Sequence, residues 1–518
     1  LAFIFFCDKM SADTYEVSMA FLKKYVGNKA FYREMLTVAF PIALQQLVSA
    51  LVNLLDSAMI GRWGNTTLGA GGSEITSAAI MIANRYFTTF DAIMIMTVIS
   101  CTIFIAQFFG AKNKEKGQKT FGFALQLSIG FGLAAAIIGF VFREPIIYFF
   151  STGVGSGAEM LYYGEQYLSI IALTFIPYSI SVAISFCLRS TNKPKIPLYA
   201  SGAAALTNFV FNYLFIYTFN LGVYGAAIAT MISRLVELAI LLWYYFKHKP
   251  FFFGSFKEIF AKEKGFKKDI ILRGMPMAAA QVLTEGMAIF MFFAYAQIDS
   301  GNASNIAAVN MSSRVVDIVT AFVGGMGTAA AIMVGMRLGA GKVEEAKQNA
   351  RWQIGYVITL SLITVLIMIC MIPFVQLVND FQAETATLLA VIMIIHAISL
   401  PFMFYSVNVI FITRSGGYTK APFIITNLPY LFIKIPLVTL FVFIAPELFE
   451  NSSGLHHMLS AIGLPASLVI FIFLIDRLIE IVRAIIAYFV LHKADWLGNL
   501  SGHKKEVELV TEPEPPLD

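Results

Sequence analysis

Apolar residues run through this chain in long unbroken blocks, with short polar stretches between them. A block of about 20 apolar residues is what a helix needs to cross the hydrocarbon layer. The pattern predicts twelve spans, near 34–60, 75–109, 120–142, 162–188, 197–219, 223–246, 270–297, 303–336, 352–378, 386–412, 421–446 and 460–491. Lipid offers the backbone no hydrogen-bond partner, so runs this continuous read as helices and not as a barrel. The expected fold is an all-α membrane protein.

Composition agrees. The 518 residues are 58% hydrophobic and 13% charged, about half the charge of an ordinary soluble domain. The blocks fill almost the whole length, which leaves no room for a sizeable soluble domain. Cys7, Cys101, Cys187 and Cys370 have no metal-ligand spacing and read as buried thiols. The leading LAFIFFC has neither a basic leader nor a cleavage site, so it is not read as a signal peptide, and a start other than Leu1 is expected. The tail 504–518 is polar and rich in Pro, hence expected to be disordered.

The placement of Lys and Arg gives an orientation. One side carries Lys23, Lys24, Lys29 and Arg33, then AKNKEKGQK (111–119), RSTNKPK (189–195), the Lys-rich 247–273, GKVEEAKQNAR (341–351) and RSGGYTK (414–420). The other side shows only Arg62 and Arg143, and its last loop, APELFENSSGLHHM, is acidic. The alternation survives all twelve spans. Both termini are therefore expected in the cytoplasm and the chain in the cell (inner) membrane.

The halves resemble each other. PIALQQ (41–46) aligns with PMAAAQ (276–281), Asn84 with Asn310, FFGAKNKEKGQK with RLGAGKVEEAKQ, and LRSTNKPKIPL with TRSGGYTKAPF. The offsets are 235, 226, 229 and 225. Six spans per half preserve topology, so the expectation is two six-helix lobes related by a parallel pseudo-two-fold along the membrane normal. The divisions are a cytoplasmic segment 1–33, an N-terminal lobe 34–246, a basic linker 247–269, a C-terminal lobe 270–491 and a cytoplasmic tail 492–518. FGSFKEIFAKEKGFKK, around the linker, reads as a short amphipathic helix on the lipid surface.

These residues resemble the multidrug and toxic compound extrusion transporters. The carriers are Pro41, Gln45 and Gln46 ahead of Asp56 and Gly61, AQFFGAKNKEK, LRSTNKPKIP, Asn208 and Asn212, GVYGAAIATMISRLVE (222–237) and VGMRLGAGKVEEAK. IDRLIEIVRA with DWLGNL is similar to the closing segment of Gram-positive-type members. The match covers roughly residues 31–500 and is specific as an ensemble. The chain departs from the family at four places. Asn212 stands where some members have a second carboxylate, and 386–412 holds His396 but no carboxylate. Met336 replaces a glutamine, and Asn84 is followed by Arg85.

Asp56 is the first candidate. A carboxylate deep in a bilayer costs at least a few kcal/mol unless it is paired, protonated or ion-bound. Asn208 and Asn212 share a helix face, and Thr230 follows the tight Gly222–Gly225 turn. One carboxylate, two amides and a hydroxyl make an all-oxygen set that suits a hard cation such as Na+. A desolvated carboxylate can carry a proton instead, and a carboxylate simply satisfied by hydrogen bonds is the structural alternative. The set also resembles the cation site of sodium-coupled family members. Glu285 resembles their span-7 glutamate, with its span-10 partner missing here.

Asp91 and Asp317 are expected as a pair facing a central cavity, with Asn84, Asn310, Gln46 and Gln281 completing its polar lining. Arg314, three residues before Asp317, offers a competing ion pair. Lys434 reads as a buried salt bridge. Arg234/Glu237 and the set Asp476, Arg477, Glu480 and Arg483 read as structural pairs near the cytoplasmic helix ends.

No P-loop, HExxH, CxxC or GxSxG occurs and the six His are scattered, so no enzyme chemistry and no cofactor are expected. The resemblance implies a monomeric antiporter that exports drugs or toxic cationic or amphipathic compounds in exchange for Na+ or H+. Its partners would be a small-molecule substrate and the bilayer, and no nucleic acid. The alternatives are a lipid-linked glycan flippase, whose cavity would be basic, and a membrane-embedded enzyme. A channel fits the two-lobe repeat poorly.

Overall fold

The computed structural model describes residues 24–69, 72–151, 157–259, 266–298, 303–379, 383–461 and 463–500. Among them the regular structure is helical throughout. Twelve long helical runs stand where the apolar blocks predict them. They are α1 (Lys29–Leu68), α2 (Gly72–Gly110), α3 (Lys114–Val141), α4 (Ala158–Ser190), α5 (Lys195–Asn212) and α6 (Gly222–His248) in the first half. The second half has α7 (Phe266–Ala296), α8 (Ala303–Gly339), α9 (Val343–Asn379), α10 (Ala383–Ser415), α11 (Phe423–Ile444) and α12 (Leu468–Lys493). Among the described residues, nine of these are long and apolar enough to cross a bilayer by length and composition alone. Those outside that criterion include α12, which carries Asp476, Arg477, Glu480 and Arg483 in mid-helix.

Local signals set several ends. Asn28 caps α1 by accepting from the Phe31 N–H at 2.8 Å, and Asn113 caps α3 by accepting from Lys116 at 3.1 Å. α5 does not end at Asn212 but widens into a π-type turn, Tyr213–Thr218. α11 is largely π-type, in Phe423–Asn427, Tyr430–Lys434 and Leu440–Ile444. Spans five and eleven are equivalent in the repeat, so both lobes place their irregular helix at the same position. Such bulges cluster where a helix must re-aim side chains.

Each half packs on itself. α4 lies against α2, α3 and α6, with α5 between α1 and α6; α10 lies against α8, α9 and α12. The halves meet where α1 touches α8 and where α2 touches α7 and α8. Along α1 and α8 the contact runs from an ion pair, Glu34–Arg337 at 2.7 Å, to Gln46 over Gly324. Phe31, Met35 and Ile42 are packed between those points with Met326, Ala329 and Met333. The join is therefore in the basic half of both helices.

Where α2 and α8 cross at that end, a Cβ on Gly110 would strike the Met336 carbonyl, and one on Gly339 the Gln107 carbonyl. Gly110 and Gly339 share the 229 offset, as do Gln107 and Met336. Reciprocal contact between equivalent residues is the mark of a two-fold relation. Gln107 also fastens the segment after α12 to this seam. Its Nε2 donates to the Ser415 carbonyl at 2.9 Å, and its Oε1 accepts from the Leu500 N–H at 2.6 Å.

Three details differ from the sequence reading. A short helix, Arg143–Ser151, stands between α3 and α4, and its Phe149 meets Phe293 of α7 at 5.4 Å between ring centroids. Between α6 and α7 only Phe256–Ile259 is helical among the described residues, and residues 260–265 lie outside them. That stretch docks on the first lobe, with Phe252 and Ile259 buried and the Gln118 amide donating to the Phe253 carbonyl. The last span begins at Leu468 and not near 460. Gly463, at φ +75°, and Pro465 separate it from the helix Ser453–Ala461. Asp476 and its neighbours consequently sit in mid-helix, deeper than the sequence reading places them.

Candidate functional site

Asp56 lies on α1 beyond the closed half of the seam and is 8% exposed. The turn at 219–222 brings α5 and α6 against it. Asn220 and Gly222 both adopt positive φ, and Gly222 has no Cβ to collide with the Trp63 ring. Trp63 Nε1 donates to Asn220 Oδ1 at 2.8 Å, and the Tyr217 hydroxyl donates to the Met59 carbonyl at 2.7 Å. Both bonds pin α1 to the end of α5.

The four predicted ligands converge. Asn212 Nδ2 donates to Asp56 Oδ1 at 2.5 Å and to Asn208 Oδ1 at 3.0 Å. Asn208 Nδ2 in turn donates to Thr230 Oγ1 at 3.3 Å. Asn212 is fully buried, yet its Oδ1 has no hydrogen-bond partner. A buried amide oxygen left without a donor is costly. Rotating that amide about its terminal torsion exchanges donor for acceptor and turns the oxygen toward Asp56. The residues present therefore fit a hard cation. Thr230 spends its own proton on the Ala226 carbonyl at 3.0 Å, so its lone pairs face the site.

Among the described residues no arginine is locked to Asp56. Arg234, the cation whose field reaches it, donates to Glu237 at 3.2 Å and stacks on the Tyr178 ring at 4.4 Å. Glu237 accepts from Ser201 at 2.8 Å, Ser201 from Gln45 at 2.6 Å, and Gln45 from Arg189 at 2.6 Å. A continuous polar chain thus runs inside the first lobe from α6 through α5 and α1 to α4. The sequence reading finds the Arg234–Glu237 pair but not the rest, because its links join residues far apart in the chain.

The other candidates spread out. Asn84 lies against the Tyr167 hydroxyl, beside Asp56. Asp91 turns toward the Tyr178 hydroxyl, with Arg234 beyond, and its Oδ1 is buried without a partner. Asn310 and Asp317 are on α8, but their side chains and that of Arg314 lie outside the described ones. Gln46 is half-buried at the seam. Gln281 donates to Glu285 at 2.8 Å on α7, and Arg85 of α2 stands across the seam as the cation that acts on Glu285. Asn427 of α11, absent from the sequence reading, is fully buried. It donates to the Ala280 carbonyl and to Thr284, with its own Oδ1 unpartnered.

In the second lobe Lys434 of α11 is bonded to Asp476 of α12, which also holds Arg477. Glu480 accepts from Arg483 at 2.5 Å. The expected Lys434 salt bridge is present, with both partners half-buried. His396 shares a hydrogen bond of 3.1 Å with Ser312.

The model of the family described as MatE matches residues 41–214 and again 276–440. The two matches begin 235 residues apart, the offset that relates Pro41 to Pro276. A probable multidrug resistance protein NorM of Halalkalibacterium halodurans is 26% identical over 359 residues, 67% of this chain and 74% of that protein. Another, of Thermotoga maritima, is 23% identical over 79% of this chain and 85% of its own length. Among solved structures, the outward-facing conformation of a multidrug resistance MATE family transporter of the MOP superfamily superposes with a TM-score of 0.74. It is 19% identical, and the match covers 90% of this chain and 96% of that one. A MOP superfamily transporter from Pyrococcus furiosus, described for the reverse polarity of its binding pocket, gives a TM-score of 0.73 at 18% identity. That match covers 90% of this chain and 96% of the other.

Proposed function

The chain belongs to the MatE family, and from that premise we propose that it is a secondary antiporter. It exports drug-like, cationic or amphipathic compounds in exchange for a small hard cation. The observation that carries the proposal is Asp56, a buried carboxylate bonded to Asn212 and, among the described residues, to no fixed cation, beside an amide oxygen that lacks a donor. A negative group so placed is stable when a mobile cation visits it. Its donors are all oxygen, which suits Na+. A proton on the same carboxyl is the other form the cation takes.

Exchange follows from alternating access. With the basic end taken as cytoplasmic by the positive-inside rule, the seam closed from Glu34–Arg337 to Gln46–Gly324 is the inner gate. Asp56 then lies on the outward side of that closure, where an external cation reaches it. Binding turns the Asn212 amide and draws α5 and α6 onto α1. A cation that binds this state more tightly than the inward state biases the lobes, whereas equal affinity would shift nothing. Asp91, Glu285 and Asn84 line the approach and favour positively charged cargo. A glycan-lipid flippase would need the opposite polarity there. Membership of the family and the absence of a nucleotide-binding motif support a transporter driven by gradients and not an enzyme.

The test is uptake of a fluorescent organic cation into inside-out vesicles, with sodium and proton gradients imposed separately. One gradient should drive transport in the wild type and neither should in Asp56→Asn. Gradient-driven transport by that variant at the wild-type rate would remove Asp56 from the mechanism.

A further inference from the structure

Two guanidiniums at the inner gate, one on the buried Arg414 and one on the half-buried Arg189, have no role in the exchange described above. Arg189 ends α4 and Arg414 ends α10, in RSTNKPK and RSGGYTK, at the 225 offset of the repeat. Both line one cavity of about 30 Å³ between the lobes, walled by Thr102 of α2, Phe186 of α4, and Thr328 and Ile332 of α8. Arg414 is 4% exposed, its guanidinium lies 3.9 Å from the Phe411 ring centroid, and its Nε has no hydrogen-bond partner. Arg189 stacks on Phe186 at 4.6 Å and donates to Gln45, and its Nε is likewise unpartnered. Among the described residues no carboxylate pairs with either.

Arginine does not shed its charge in a protein. Two of them, facing the same space without an acid, repel each other and lack their compensation. Aromatic stacking offsets part of that. A water needs about 10–15 Å³, so a space of about 30 Å³ has room for a monatomic anion with a water.

We propose that Arg189 and Arg414 together bind one chloride-sized monovalent anion, and that this anion holds the inner gate shut. The wall comes from both lobes, so the site exists only while α2 and α4 are seated on α8 and α10. When the gate opens the arginines part and the anion is released to the basic side. Without it their repulsion favours opening. Gln45 links Arg189 to the polar chain that reaches Arg234, so the gate anion and the cation site share one lobe interior.

The experiment uses the full chain in lipid nanodiscs at constant sodium and without drug, so its outcome does not depend on what the protein exports. Chloride replaces gluconate stepwise. Two readouts are taken: the melting temperature, and the distance between spin labels at Lys112→Cys and Lys342→Cys with the native cysteines replaced. In the wild type chloride should raise the melting temperature by a few degrees in a saturable way and shorten the label distance. Arg414→Gln should lose both responses and stay closed in gluconate. Arg189→Gln serves the same purpose if the first variant does not fold. A wild type indifferent to chloride, a variant that keeps the response, or a response to phosphate and not to chloride would each overturn the proposal.

Discussion

The two lobes repeat one architecture and fill it with opposite electrostatics. Both carry a π-distorted fifth helix of the half, α5 and α11, packed beside a regular sixth. In the first lobe that place holds Asp56 among two amides and a hydroxyl, with the pair Arg234–Glu237 farther along α6. In the second it holds Lys434, Arg477 and Arg483 against Asp476 and Glu480, every one of them paired. The offset of 235 puts Met291, a buried hydrophobe, where the first lobe has Asp56. The difference teaches how burial sorts charge. A carboxylate given its own cation by the chain is a fixed strut, and one given only neutral oxygens waits for a cation from outside. We therefore assign ion exchange to the first lobe and rigidity to the second.

Breaking that contrast at Asp56 should have the largest effect. Asp56→Asn keeps the shape and a partner for Asn212, so melting should hold or rise while gradient-driven export falls to the background of empty vesicles. Next is Lys434→Met, which leaves Asp476 with Arg477 alone. Removing one member of a buried ion cluster costs about 3 kcal/mol or more, read by denaturant titration. The folded fraction should still export with an unchanged cation dependence. A Lys434→Met protein that is stable but no longer responds to the cation would erase the division between lobes. Asn212→Ala removes both the donor to Asp56 and the waiting oxygen. A hydrogen bond to a charged group is worth about 1.5–3 kcal/mol, so the cation concentration for half-maximal export should rise roughly ten- to a hundredfold. The smallest effect belongs to the seam both lobes share. Arg337→Gln loses the paired contact to Glu34, with bonds of 3.1 and 2.7 Å, at a partly exposed site. It should widen the inner-gate label distance in a minor fraction of molecules without changing which cation drives export.

The spans, the repeat and the meeting of Asp56, Asn208, Asn212 and Thr230 are legible for a physical reason. Lipid forces apolar residues into blocks, and Asn208 and Asn212 are four apart on a helix that one tight turn folds onto Thr230. Asp56 announced itself by its charge in an apolar block. What remained hidden depended on contacts between distant segments. The chain Arg189–Gln45–Ser201–Glu237 joins α4, α1, α5 and α6, and nothing in the spacing of those residues points to it. In the sequence Arg189 and Arg414 look like ordinary positive charge on the basic side, since a sequence does not tell a solvated arginine from a buried one. The acids of α12 were placed too near the membrane edge, because the apolar run from 460 conceals the break at Gly463 and Pro465. Asn427 passed unnoticed as one polar residue in an apolar helix.

The central claim is that Asp56 takes a mobile cation. Its most direct test is equilibrium binding to the purified chain without drug, read as radioactive sodium retained at neutral pH and as protons taken up on acidification. The wild type should bind one equivalent of either Na+ or H+ that Asp56→Asn does not bind and Lys434→Met does. An equal number of cations bound by wild type and Asp56→Asn would contradict the account.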